Sequence, residues 1–121
     1  MVKLICFVRR KPGMSVEEFH RYWRETHGPL VAATKSGKYA IRYEQNHRAL
    51  DDYPRDPAGY DGVTEQWFGS LADFHASIEE EDYSEIAADI PKFLDTDSLL
   101  WIMTEEPDVI VEGEAGAGVT R

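Results

Sequence analysis

The chain has 121 residues, 42% of them hydrophobic and 12% aromatic, which is enough for one domain with its own core and too little for two. With 13 Lys and Arg against 23 Asp and Glu, the formal net charge of -10 argues against nucleic acid or an anionic membrane as partner, since phosphate contacts need clustered cations. The four histidines and single cysteine show no CxxC, HxxxH or HExxH spacing, so no metal is signalled, and no apolar run approaches the roughly 18 residues of a membrane span.

Val2 to Val8 (VKLICFV) is β-rich and apolar on both parities, the pattern of a strand covered on both faces. Cys6 within it reads as a small buried residue in a reducing compartment, and the absence of a signal peptide makes a cytoplasmic location the expectation. Pro12-Gly13 ends the strand. Ser15, three residues before Glu18, marks a helix start. Steps of about 100° place Phe19, Tyr22, Trp23, Thr26 and Leu30 on one stripe, with Glu17, Arg21, Arg24 and Glu25 opposite. Lys38 to Asn46 reads as a second strand. The polar, Pro- and Gly-rich stretch from His47 to Asp61 is long enough to be a functional lid. Gly62 to Phe68 (GVTEQWF) is a third strand. Ser70 with Asp73 caps a second helix carrying Leu71, Phe74 and Ile78, and a short helix with Tyr83, Ile86, Ala87 and Ile90 follows. Ser98 to Thr104 (SLLWIMT) is the fourth strand.

The order β-α-β-β-α-β predicts an α+β, ferredoxin-like sandwich, one antiparallel sheet with helices on one face. In a monomer the other face is wet, and its strands should alternate cleanly. The first and fourth do not, so a second copy of the sheet is the expected cover and the chain is read as a homodimer. The domain is taken as residues 1–111, followed by an acidic Gly/Ala-rich tail, 112–121. GEAGAGV in that tail lacks the strand-turn-helix context of a phosphate loop.

The stretch RYWRETHGPL ends its helix on His27, Gly28 and Pro29, which together are expected to break it and let Leu30 to Thr34 start a new turn. His27 falls about 60° from the stripe centre at Leu30, at the shoulder of the apolar face. Two readings stay open: a helix-terminating histidine bonded to a carbonyl, or an acid/base group with one ring edge in a pocket.

The series RRKPGMSVEEFHRYWRETHGPL, with RYEQNH, DGVTEQWF and TEEPDVI later, resembles the EthD-domain family of dimeric α/β-barrel proteins over nearly the whole chain. The resemblance implies two sheets packed into a dimeric α/β barrel, with a small-molecule pocket between sheet and helices in each subunit. It implies as well dehydration, cyclisation or decarboxylation of an aromatic or polyketide-like molecule. On that reading His27 is a catalytic acid/base with Glu65 orienting it or sharing its proton, against the plainer reading of Glu65 in a salt bridge with Arg42 or a neighbour. Asn46 and His47 resemble the family's N-H pair at a pocket mouth, and Tyr22, Trp23, Tyr43 and Trp67 form an aromatic slot, positions that also suit plain core. Proton transfer of this kind needs no cofactor and no metal. The rival readings are a non-catalytic accessory protein and a haem-binding protein of the same fold, with His27 or His47 as axial ligand. His20 and His75 carry no motif and are read as structural.

Overall fold

In the computed structural model, which describes residues 1–114, β1 (Val2–Val8) is flanked by β3 (Gly62–Phe68) and β4 (Leu100–Thr104), and β2 (Arg42–His47) pairs with the far edge of β3. All three pairings are antiparallel, giving the order β2-β3-β1-β4 of a ferredoxin-like fold. Register places Cys6 between Thr64 and Trp101, and Ile5 between Glu65 and Ile102. Because side chains alternate across a strand, this divides the sheet into two chemically distinct faces. Leu4, Cys6, Val8, Tyr43, Thr64, Gln66 and Phe68 point to the helices. Ile5, Phe7, Val63, Glu65, Trp67, Leu100 and Ile102 take the other face, where Tyr60 packs edge-on against Phe7 and where Phe7, Leu100 and Ile102 remain exposed.

Four helices lie over the sheet: α1 (Val16–Tyr22), α2 (Gly28–Ala33), α3 (Leu71–Glu79) and α4 (Tyr83–Phe93). Both expected caps form, Ser15 accepting from the Glu18 amide and Ser70 from the Asp73 amide. Phe19, Trp23 and Phe93 are the centre of the core, with Val8 and Leu94. Gly13 takes φ 87 in the turn after β1, a conformation that glycine adopts without steric cost.

The expected break at Gly28-Pro29 does not occur. His27 and Gly28 are both right-handed helical, and α1 runs into α2 through a π turn, Trp23–His27, in which the Gly28 amide donates to Trp23 O. The wider turn puts Pro29 in the first turn of α2, where its missing N–H costs nothing. The extra residue also rotates the face. Thr26 is exposed, while His27 moves from the expected shoulder to a buried position. The Trp23 carbonyl gains a second donor, Gln45 Nε2 at 2.7 Å, so the wide turn is pinned to β2. Two strands are shorter than expected: Gly37–Tyr39 winds as a 3-10 turn before β2, and Thr96–Ser98 before β4. The region after β2 also winds, as a 3-10 turn at Leu50–Arg55. Of the tail, residues 115–121 lie outside the described residues.

Candidate active site

Between the helices and the sheet lies a cavity of about 350 Å³, walled mainly by apolar side chains, with His27, Tyr43, Thr64 and Gln66 among its polar members. His27 reaches it from the π turn. Its Nδ1 lies 2.7 Å from Asp89 Oδ2 on α4, and both residues are buried. A carboxylate only accepts, so Nδ1 carries the proton and Nε2, without a protein partner among the described residues, holds its lone pair on the cavity side. Tyr22 donates to the other carboxylate oxygen at 2.5 Å. Burial of the phenol and this bond to Asp89 push Tyr22 up to about 12, so it stays a proton donor. Burial lowers His27 below 6.5 in spite of Asp89, which acts the other way. The ring is therefore neutral at physiological pH, and tautomer and orientation suit a general base. Phe93 packs against the ring at 4.7 Å between centroids and keeps water from that side.

This is not the partnership expected from the sequence. Glu65 sits on the opposite face of the sheet, 3.1 Å from Lys3 Nζ and accepting from Asn46 Nδ2 at 3.1 Å. Trp67 shares that face, between the Lys3 and Arg42 cations at 5.2 and 5.9 Å from its ring centroid. Asn46 is exposed and bonded to Val63 O. The reason is parity. The residues of β3 that face the helices are Thr64, Gln66 and Phe68, which excludes Glu65 and Trp67 together.

Trp23 and Tyr43 do line the cavity, and Tyr22 stands behind it through Asp89. The Tyr43 hydroxyl accepts from Gln45 Nε2 at 3.1 Å, which leaves its own proton for a ligand. Cys6 also lines the wall, with burial pushing its thiol up to about 11 and away from thiolate chemistry. His75, exposed on α3, stands at the edge of the cavity.

His47 belongs to a second polar chain. Its Nε2 meets Gln45 Oε1 at 2.8 Å, and its Nδ1 meets His20 Nδ1 at 2.7 Å. His20 Nε2 meets the Tyr53 hydroxyl at 2.9 Å, and Tyr53 donates to Asp61 Oδ1 at 2.6 Å. Asp61, with 0% exposure, also accepts from the Arg10 amide and guanidinium, each at 2.7 Å. Burial, then Arg24 and His20, push His47 down to about 4. Both ring nitrogens of His47 are thus engaged, which leaves neither free as an axial ligand. His20, read as structural, is a link in this chain, which ties α1 to β2 and to the segment before β3.

Sequence reasoning missed Asp89. The signal was present: Asp89 lies three residues after Ile86 and four before Phe93, on the apolar stripe of α4, where a carboxylate needs a partner. Among the described residues, no group of three or more His, Cys, Asp or Glu is assembled to hold a metal, and no helix is long and apolar enough to cross a membrane.

Solved structures share this fold. An EthD family protein from Bacillus halodurans is 18% identical, with 88% of this chain and 99% of that one covered at a TM-score of 0.65. A dimeric protein of ferredoxin-like fold and unknown function from Bacteroides fragilis is 12% identical, with 87% and 95% covered at 0.64. SnoaB, a cofactor-independent oxygenase from Streptomyces nogalater, is 10% identical, with 92% and 97% covered at 0.61. No curated protein matches the chain. The EthD domain model matches residues 11–97, most of the length and including the helix that carries His27, and the chain belongs to the EthD domain family.

Proposed function

We propose that this protein is an enzyme performing general acid/base chemistry, without a cofactor, on a small aromatic or polyketide-like molecule. The observation that carries the reading is His27 Nδ1 held at 2.7 Å by buried Asp89 on the wall of an apolar cavity, with Nε2 open to it. In a dehydration, Nε2 takes a proton from carbon, the imidazolium is held against Asp89, and the C–O bond breaks. The departing hydroxide leaves as water with the proton that Nε2 returns, so His27 ends as it began. Cyclisation followed by loss of water uses the same transfers, and decarboxylation uses them when Nε2 takes the proton of the carboxylic acid and returns it to the carbon that loses CO2. Asp89 is a positioning residue, fixing the tautomer, and Tyr22 holds the second oxygen of its carboxylate. The apolar walls exclude water, which strengthens each of these interactions.

The assembly that fits this site is a homodimer joined sheet to sheet. Phe7, Leu100 and Ile102 are 38%, 57% and 53% exposed on the face away from the helices, and a second copy buries them. The related Bacteroides fragilis protein is described as dimeric. The activity is tested by incubating the protein with non-aromatised bicyclic and tricyclic β-hydroxyketones and following loss of water by mass spectrometry. His27→Gln should abolish turnover while leaving the circular dichroism spectrum unchanged. Equal turnover by this variant removes His27 from the mechanism.

A further inference from the structure

We propose, building on the functional reading above, that the cavity accepts only uncharged ligands, so that the substrate is a neutral phenol, ketone or ester and not the corresponding free acid or a phosphorylated conjugate. The observation is a census of charge. Among the described residues, no Lys, Arg, Asp or Glu lines the cavity. The fixed charge behind the His27 wall is negative: Asp89, held only by the Tyr22 hydroxyl and the His27 ring, with no Lys or Arg paired to it among the described residues. A carboxylate entering beside His27 therefore loses its water, finds no cation, and lies one imidazole away from a buried anion of the same sign.

The other ionisable groups on the wall do not change this balance. Burial holds the Cys6 thiol and the Tyr43 phenol in their neutral forms and favours the neutral form of His27. His75 is in water at the cavity edge, where any charge it carries is screened. The net charge of -10 works in the same direction at long range. What the wall can tolerate is charge created in pairs. When Nε2 takes a proton from a neutral substrate, an enolate and an imidazolium appear together and the sum is unchanged. Dehydration and cyclisation meet this condition from start to finish. Decarboxylation of a free acid, an anion at neutral pH, does not, so it drops out of the reactions open to this site.

The test is a binding comparison at neutral pH, read by tryptophan fluorescence and calorimetry, using 2-naphthol, methyl 3-hydroxy-2-naphthoate and the free 3-hydroxy-2-naphthoate anion. The first two should bind, and the anion should bind about 100-fold more weakly than its ester. Asp89→Asn removes the anion behind His27 and should recover about tenfold or more of the lost affinity for the acid, with little change for the ester. Wild-type protein that binds the acid as tightly as the ester overturns the proposal, whether or not the variant folds, and leaves the acid/base reading standing. A folded Asp89→Asn protein with no gain for the acid also overturns it. Failure of all three probes to bind overturns the small-aromatic reading of the cavity, and this proposal with it.

Discussion

Replacing Asp61 by Asn changes one atom of a side chain with 0% exposure, and the structure specifies what that atom meets. Oδ2 accepts the Arg10 amide at 2.7 Å, while Oδ1 accepts Arg10 Nη1 at 2.7 Å and the Tyr53 hydroxyl at 2.6 Å. An amide nitrogen in the Oδ2 position faces the Arg10 N–H, a donor that cannot turn away. Flipped, it faces the guanidinium. Either orientation sets donor against donor and leaves the Arg10 cation without its counter-charge. Breaking a buried pair in this way costs about 3–5 kcal/mol. The Arg10 side chain is 25% exposed, so water recovers part of the loss and the expectation is about 3 kcal/mol. Against a total stability of about 5–15 kcal/mol that is a large fraction, equivalent to a fall of about 10 °C in Tm. Urea unfolding followed by tryptophan fluorescence, at one protein concentration for both proteins, measures it. A loss under about 1 kcal/mol refutes the reasoning, because it means that the carboxylate is not the anchor joining β1 to the segment before β3.

Titration of His27 by NMR should give a midpoint below 6.5, because burial outweighs Asp89. The folded ring then binds its proton less tightly than the unfolded one, so its contribution to stability is complete above pH 6.5 and is lost as pH falls through the lowered midpoint; activity that uses the neutral ring should fall over the same range. A midpoint above 6.5 contradicts this order of effects. Tyr22→Phe removes one of the two donors to Asp89 and should cost about 1–2 kcal/mol while raising the His27 midpoint, since a less satisfied carboxylate favours the imidazolium. An unmoved midpoint argues that the two residues do not share the carboxylate. Wild-type protein should sediment as a dimer of the 13.8 kDa chain, and Ile102→Glu, which places charge on the open sheet face, should shift it to monomer. A wild-type monomer removes the basis for sheet-to-sheet pairing.

The order of elements was legible because caps and turns are local. Ser15, Ser70 and Pro12-Gly13 act within a few residues of themselves, and all appear where their chemistry places them. His27 could be singled out for the same reason. Its partner could not, because the choice between Glu65 and Asp89 depends on which parity of β3 faces the helices. A strand between two other strands, with Val63, Glu65 and Trp67 on one parity and Thr64, Gln66 and Phe68 on the other, carries no internal sign of that. The π turn was hidden by a different cause. Gly28-Pro29 reads as a stop, yet Gln45, distant in sequence, holds the Trp23 carbonyl and lets the helix continue. Tertiary contacts decided both points.

The chain from Gln45 to Asp61 also permits a count of protons. Both of its ends only accept, Gln45 through Oε1 because its nitrogen is committed to Trp23 O, and Asp61 through its carboxylate. Between them lie four contacts, Gln45–His47, His47–His20, His20–Tyr53 and Tyr53–Asp61, while two neutral imidazoles and one phenol supply three protons. Tyr53 gives its own to Asp61, and the two imidazole protons serve two of the other three contacts, which two depending on the tautomers. One of those three contacts is then left as two acceptors facing each other with no proton between them. In the vocabulary of proton conduction this is a vacancy, and neither end can fill it, because both only accept. A proton bound by His47 would complete the row and make the ring a cation, which burial, Arg24 and His20 oppose, so at neutral pH the row stays one proton short.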